Sequence, residues 1–170
     1  PYRDLLGEMF GAFRNQGLKC GFYNCNFEFE YPVLENNKLV LKTAKAANDP
    51  VHSDKGTIPF DSKKHNSMIS GKIAVKDYIS DYFVPYMKEV IDKYDPDILW
   101  YDAEWYNKTS PNKTDLLAAY FYNKAEGRKE VAVNDRLGTD SRMAHGDFYT
   151  SEFHVIEEKL DKYWEENRPL

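Results

Sequence analysis

The run DILWYDAEW, residues 97–105, drives four apolar or aromatic residues straight into an acid, Asp102, with Glu104 and Trp105 directly behind it. A carboxylate at the end of a buried segment is costly unless it is paired or put to use. Ile98 to Asp102 reads as a strand, and the chain around it reads as its crossovers. Upstream, Tyr78, Tyr82, Phe83, Tyr86, Met87, Val90 and Ile91 make a helical stripe with Pro85 in its first turn or at a kink, and YDPD (Tyr94 to Asp97) breaks it. Downstream, a helix is expected from Thr114, its N-cap, to about Glu126, with Gly127 as its stop. VAVND (Val131 to Asp135) is then the next strand.

The same rhythm opens the chain. Leu5, Leu6, Met9, Phe10 and Phe13 share one face at helical spacing, Gly17 stands where that helix would stop, and LKCGFYN (Leu18 to Asn24) follows as a strand after a short turn. From Cys25 to about Gly71 no periodicity is sustained, which predicts a long βα loop over a site. After a polar stretch from Gly138 to Gly146, DFYTSEF (Asp147 to Phe153) is a fourth strand, and the charged tail holds a short helix and the start of another strand. Helices alternating with mostly apolar strands predict an α/β fold with a parallel sheet.

In such sheets the site lies at the carboxyl ends of the strands. Asn24, Asp102, Asn134 to Arg136 and Glu152 all fall at that end although they are far apart in sequence. Each alone reads as a helix cap or solvated turn; their recurrence at strand after strand points to a shared site. Alternation puts Trp100 on the same side of its strand as Asp102 and makes it the expected pocket wall, whereas Trp105 reads as a loop packing residue.

Composition narrows the function classes. The 170 residues are 42% apolar and 15% aromatic, enough for a substantial core. With 23 basic against 28 acidic residues, a net charge of -5 and no basic cluster, no nucleic-acid partner is expected. No apolar run approaches the roughly 20 residues of a spanning helix, so no membrane association is expected. PYRDLLGEMF has no signal-peptide pattern, and any targeting segment would lie outside this chain. Cys20 and Cys25 are five residues apart on an extended segment, about 16 Å, too far to bond to each other. NKT at Asn107 and Asn112 makes both candidate glycosylation sites and hints at a secretory route. The four histidines form no cluster of ligand spacing, so neither a metal nor another cofactor is expected.

GFYNCNFEFEYP, YDPDILWYDAEW, VAVNDRLG, HGDFYTSEF and KYWEENRPL, in this order and at these separations, resemble the catalytic barrel of the retaining α-L-fucosidases of glycoside hydrolase family 29, and WYDAEW with FEFEYP resembles the animal lysosomal type. The resemblance implies a (β/α)8 TIM-like barrel. A closed barrel takes about 250 residues, so residues 1–170 would be the central part of a single catalytic domain, with its N-terminal and C-terminal strands absent. It also implies hydrolysis of terminal α-L-fucose from fucosylated glycans by double displacement, in a lysosomal or secreted protein. Asp102 would be the nucleophile and Glu152 the acid/base, with Glu104, Glu28 and Asp147 as competing carboxylates. Arg136, Trp100 and Tyr23 would bind the sugar. The alternative is a non-catalytic fucose-binding or structural relative that keeps the barrel. Whether the full-length protein is a homo-oligomer stays open.

Overall fold

The computed structural model describes residues 3–26, 30–43, 57–59, 77–152 and 159–167. It divides into two compact units, Pro1–Asn24 with Met87–Leu170, and Cys25–Tyr86.

In the first unit, α1 (Leu5–Arg14) starts where the Asp4 side chain accepts from the Gly7 N–H, as an N-cap acid should. It ends before Gly17, whose φ of 74° is the left-handed backbone that glycine adopts at no steric cost. Of its expected apolar stripe only Phe10 is buried; Leu5, Met9 and Phe13 remain at the surface. β1 (Gly21–Cys25) lies beside β5 (Ile98–Asp102), which pairs in parallel with β6 (Ala132–Val133) in the register Ile98↔Ala132 and Leu99↔Val133. A parallel bridge from Asn134 to Phe148 carries the pairing on to β7 (Phe148–Glu152), which runs parallel to β8 (Tyr163–Asn167). The parallel order predicted from the apolar strands is therefore present, as part of a domain. The expected short helix after Phe153 lies outside the described residues, as do His52, His65, His154 and Glu28.

Two helices lie in the crossovers. α2 (Val84–Tyr94) contributes buried Met87, Val90 and Ile91, and α4 (Thr114–Ala125) contributes buried Leu117, Phe121 and Ala125, each set at helical spacing. They are neighbours, because Asp92 accepts from the Tyr120 hydroxyl and pairs with Lys124. Along β5, Leu99 and Tyr101 are buried while Ile98, Trp100 and Asp102 are half-buried. The pleat therefore gives one face to the core and leaves the other to chemistry.

The expected N-cap at Thr114 is corrected. Thr114 is the first residue of α4, and Lys113, at a φ of 56°, precedes it. The Thr114 hydroxyl is buried and donates to the Leu137 carbonyl instead, tying the helix to the segment beyond β6. A short helix, α3 (Thr109–Asn112), was not anticipated. Gly127 does stop α4, with a φ of 70°.

The second unit corrects the expectation of an irregular loop. It contains a three-stranded antiparallel sheet of β2 (Glu30–Glu35), β3 (Lys38–Thr43) and β4 (Thr57–Pro59). The β2–β3 hairpin turns on Asn36 and Asn37, with φ of 50° and 58°. Two positive φ values are what a two-residue type I′ hairpin needs, and asparagine tolerates them. Ahead of α2, residues Ile79–Phe83 form a π-turn in which the Val84 N–H reaches back to the Ile79 carbonyl. Pro85 follows it and has no N–H to offer, so the ladder widens next to the residue that cannot serve it.

Candidate active site

β5 ends on Asp102, and Ala103 immediately turns the chain with a φ of 62°, rare for any residue but glycine. That turn leads into a 3-10 turn, Glu104–Tyr106, and leaves Asp102 at the strand end. Asn134 holds the neighbouring strand end in place: its side chain accepts from the Tyr101 N–H at 2.9 Å and donates to the Tyr101 carbonyl at 2.8 Å. A side-chain amide thus continues the ladder after β6 has stopped.

One side chain organises the site. Arg136 is 1% exposed, and its Nη1 donates to Asp102 Oδ1 and to Glu152 Oε2, both at 2.9 Å. Its Nε donates to the Thr150 hydroxyl at 2.8 Å. Burial works against the Arg136 charge, but the hydrogen bond to Glu152 and the fields of Glu104 and Asp102 outweigh it and hold the guanidinium above its ordinary value. The Asp102 and Glu152 side chains keep 19% and 35% exposure, so an incoming molecule can reach both.

An aromatic wall completes the arrangement. The Tyr23 hydroxyl donates to Asp102 Oδ2 at 2.6 Å, and its ring stacks on Trp100 with centroids 5.4 Å apart. The Arg136 guanidinium lies over the same indole, 5.0 Å from its centroid. Trp100 is itself pinned by its Nε1, which donates to Glu165 Oε1 on β8. The fold brings Tyr23, Trp100, Asp102, Arg136 and Glu152 together.

The remaining candidates separate. Glu104 is buried beside the site, and burial pushes its carboxyl above the ordinary range, only partly offset by Arg136 and Arg142. Asp147 is excluded from the site: it sits before β7, at the opposite end of the strands, and its Oδ2 accepts from the Val133 N–H and the Tyr122 hydroxyl. Asp135 is fully buried, with both carboxylate oxygens accepting from backbone N–H groups of Thr150 and Met143. Trp105 is 56% exposed. Asn107 is half-buried, whereas Asn112 is 3% exposed within α3. Neither Cys20 nor Cys25 is in a disulfide. Among the described residues, no group of three His, Cys, Asp or Glu side chains could hold a metal ion, and no helix is long and apolar enough to cross a membrane.

Sequence reading missed Thr150 and Arg142. The signal for Thr150 was its position two residues before Glu152 on the same strand, hence on the same face. Nothing local marked Arg142, whose loop is placed by glycines. A Cβ on Gly138 would meet the Thr109 nitrogen at 2.3 Å, and Gly146, with a φ of 92°, lies against the Asn134 carbonyl.

Comparison with known proteins converges on one family. The family model described as alpha-L-fucosidase matches residues 1–170. The tissue alpha-L-fucosidase of Rattus norvegicus is 29% identical over 168 residues, covering 97% of this chain and 29% of the relative. The alpha-L-fucosidase of Dictyostelium discoideum is 25% identical over 166 residues, covering 97% of this chain and 30% of the relative. Among solved structures, the crystal structure of Thermotoga maritima alpha-fucosidase superposes with a TM-score of 0.55 at 26% identity, over 96% of this chain and 30% of that one. The chain thus spans under a third of the length of the proteins it matches.

Proposed function

Because this chain belongs to the alpha-L-fucosidase family, we propose that it supplies the catalytic centre of a retaining α-L-fucosidase acting on fucosylated glycans. Asp102 is the nucleophile: a carboxylate oxygen attacks C1 of fucose as the bond from C1 to the glycosidic oxygen breaks. Glu152 gives that leaving oxygen its proton. In the second half, Glu152 takes a proton from water, the water oxygen bonds to C1, and the Asp102 carboxylate is released. Arg136 holds both carboxylates and the hydroxyls of the sugar, and the Tyr23 and Trp100 rings offer an apolar face to fucose.

The observation that carries the proposal is the shared nitrogen. Arg136 Nη1 stands 2.9 Å from an oxygen of Asp102 and 2.9 Å from an oxygen of Glu152, so those oxygens are separated by at most twice that distance. For that pair of oxygens the ceiling accommodates the roughly 5 to 5.5 Å of retention. Electrostatics suits glycoside cleavage as such. Asp102, Glu152, Glu104 and Asp135 surround the two cations Arg136 and Arg142, a balance suited to a transition state with positive charge on the sugar ring.

In the same reading, residues 1–170 are the central part of a (β/α)8 barrel whose other strands complete the pocket. The protein is lysosomal or secreted, with Asn107 as the accessible sequon. The test is to incubate the longest protein containing this chain with a 2-fluoro-fucosyl fluoride and map the labelled peptide by mass spectrometry. A fucosyl label on Asp102 is expected. A folded, full-length protein that takes no label would favour the non-catalytic sugar-binding alternative.

A further inference from the structure

We infer that Thr150 is a positioning residue whose hydroxyl, held between Arg136, Arg142 and Asp135, fixes the guanidinium that sets the spacing of Asp102 and Glu152. The inference rests on the reading of those carboxylates as the reacting pair. Thr150 is 1% exposed and touches neither carboxylate group through its hydroxyl; it acts through Arg136.

A hydroxyl has one proton and two lone pairs, and a guanidinium can only donate. The Thr150 oxygen accepts from Arg136 Nε at 2.8 Å and from Arg142 Nη1 at 2.9 Å. Its proton is thereby committed to Asp135 Oδ1, 2.8 Å away. All three directions are used, and the rotor has no alternative setting. Each partner is itself anchored. Asp135 accepts from the Thr150 and Met143 N–H groups. Arg142 donates from Nη2 to the Thr150 carbonyl and pairs through Nη1 with Glu104, on the 3-10 turn that directly follows Asp102.

The hub therefore ties the turn behind Asp102 to the strand that carries Glu152. It also explains why a buried arginine can serve two carboxylates at once. With Nε fixed by Thr150 and its plane against Trp100, Nη1 has one place to point. Such a second layer of hydrogen bonds is what keeps reacting groups within the fraction of an ångström that catalysis requires.

The experiment compares Thr150→Val with Thr150→Ser in the longest protein containing this chain, using an aryl α-L-fucoside and thermal melting of each variant. Valine keeps the shape and removes the hydroxyl; kcat should fall on the order of 100-fold, as for an ångström-scale misplacement, with KM little changed. Serine restores the hydroxyl and should recover most of that loss. If valine does not fold, Thr150→Ala replaces it with the same readings. A folded variant without the hydroxyl that keeps wild-type kcat overturns the inference, as does a serine variant no better than valine. An unmodified protein that fails to cleave the fucoside defeats the fucosidase reading and this inference together; one that cleaves it and ignores Thr150 defeats this inference alone.

Discussion

At the amino end of β5, Asp97 commits both oxygens to the protein: Oδ2 accepts from the Cys20 N–H at 2.8 Å, and Oδ1 pairs with Lys129 at 3.2 Å. At the carboxyl end of the same strand, Asp102 also has a cation and a hydroxyl, yet the cation is shared with a second carboxylate and the group stays partly open to solvent. Both ends use acids and bases between neighbouring strands. The amino end is built as a lock. Lys129 also donates to the carbonyls of Asp95 and Pro96, and Arg14 reaches the Tyr94 and Asp95 carbonyls from α1, so helices and strand are fastened to one another there. Satisfied charges stabilise; charges that share one donor and face an opening are available for reaction.

The contrast can be broken most directly at Asp102. Replacing it by glycine in the full-length protein should lower kcat by on the order of 10⁴-fold or more while the protein remains folded; near-normal turnover would remove Asp102 from the reaction. Glu152→Ala should cost about 10² to 10⁴-fold on substrates with poor leaving groups and distinctly less on activated aryl fucosides, which need little protonation. Equal losses on both would transfer the acid/base role to another carboxylate, with Glu104 first in line.

The opposite end should answer in stability rather than turnover. Asp97→Asn loses the charge that Lys129 and the Cys20 N–H serve, and should destabilise the fold by about 2 to 3 kcal/mol at neutral pH, read as the urea midpoint. Burial alone would raise the Asp97 carboxyl, but the Cys20 N–H and Lys129 outweigh it and hold it below the ordinary range. Its stabilisation is therefore fully present above about pH 4 and is lost as pH falls towards the depressed folded value. The asparagine variant should lose less stability on acidification than the unmodified protein. A variant as stable and as acid-sensitive as the original would mean that the amino-end network is no lock.

The smallest effect is expected at Ala103. Its left-handed backbone costs about 1 kcal/mol in an alanine, and glycine would remove that strain at an entropic cost of similar size. Ala103→Gly should therefore shift stability by less than about 1 kcal/mol. A large loss would show that the Ala103 methyl, buried in the fold, packs more than it strains.

Much of the fold was legible because its signals are local. Gly17 and Gly127 stop helices through their own backbone freedom, and the apolar run of β5 states its burial outright. The hairpin turning on Asn36 and Asn37 was not read, although two asparagines are a turn signal, because neighbouring strands with little periodicity concealed it. Thr114 was misassigned because capping and tertiary bonding use the same hydroxyl, and Leu137, 23 residues away, claimed it.

The sequence by itself determined the alternation of helix and strand, the strand ends on which Asp102 and Glu152 stand, the aromatic residues around them and the family to which they belong. Those are properties of short stretches, carried by period and residue type. Only the tertiary structure decided that Arg136 Nη1 serves both carboxylates, that Asp135 and Asn134 brace the site, that Asp147 sits at the other end, and that Thr150 fixes the arginine. The reason is geometric: a hydrogen bond depends on tenths of an ångström between atoms whose residues lie 14 to 34 positions apart, and the folded path of the chain alone sets that distance.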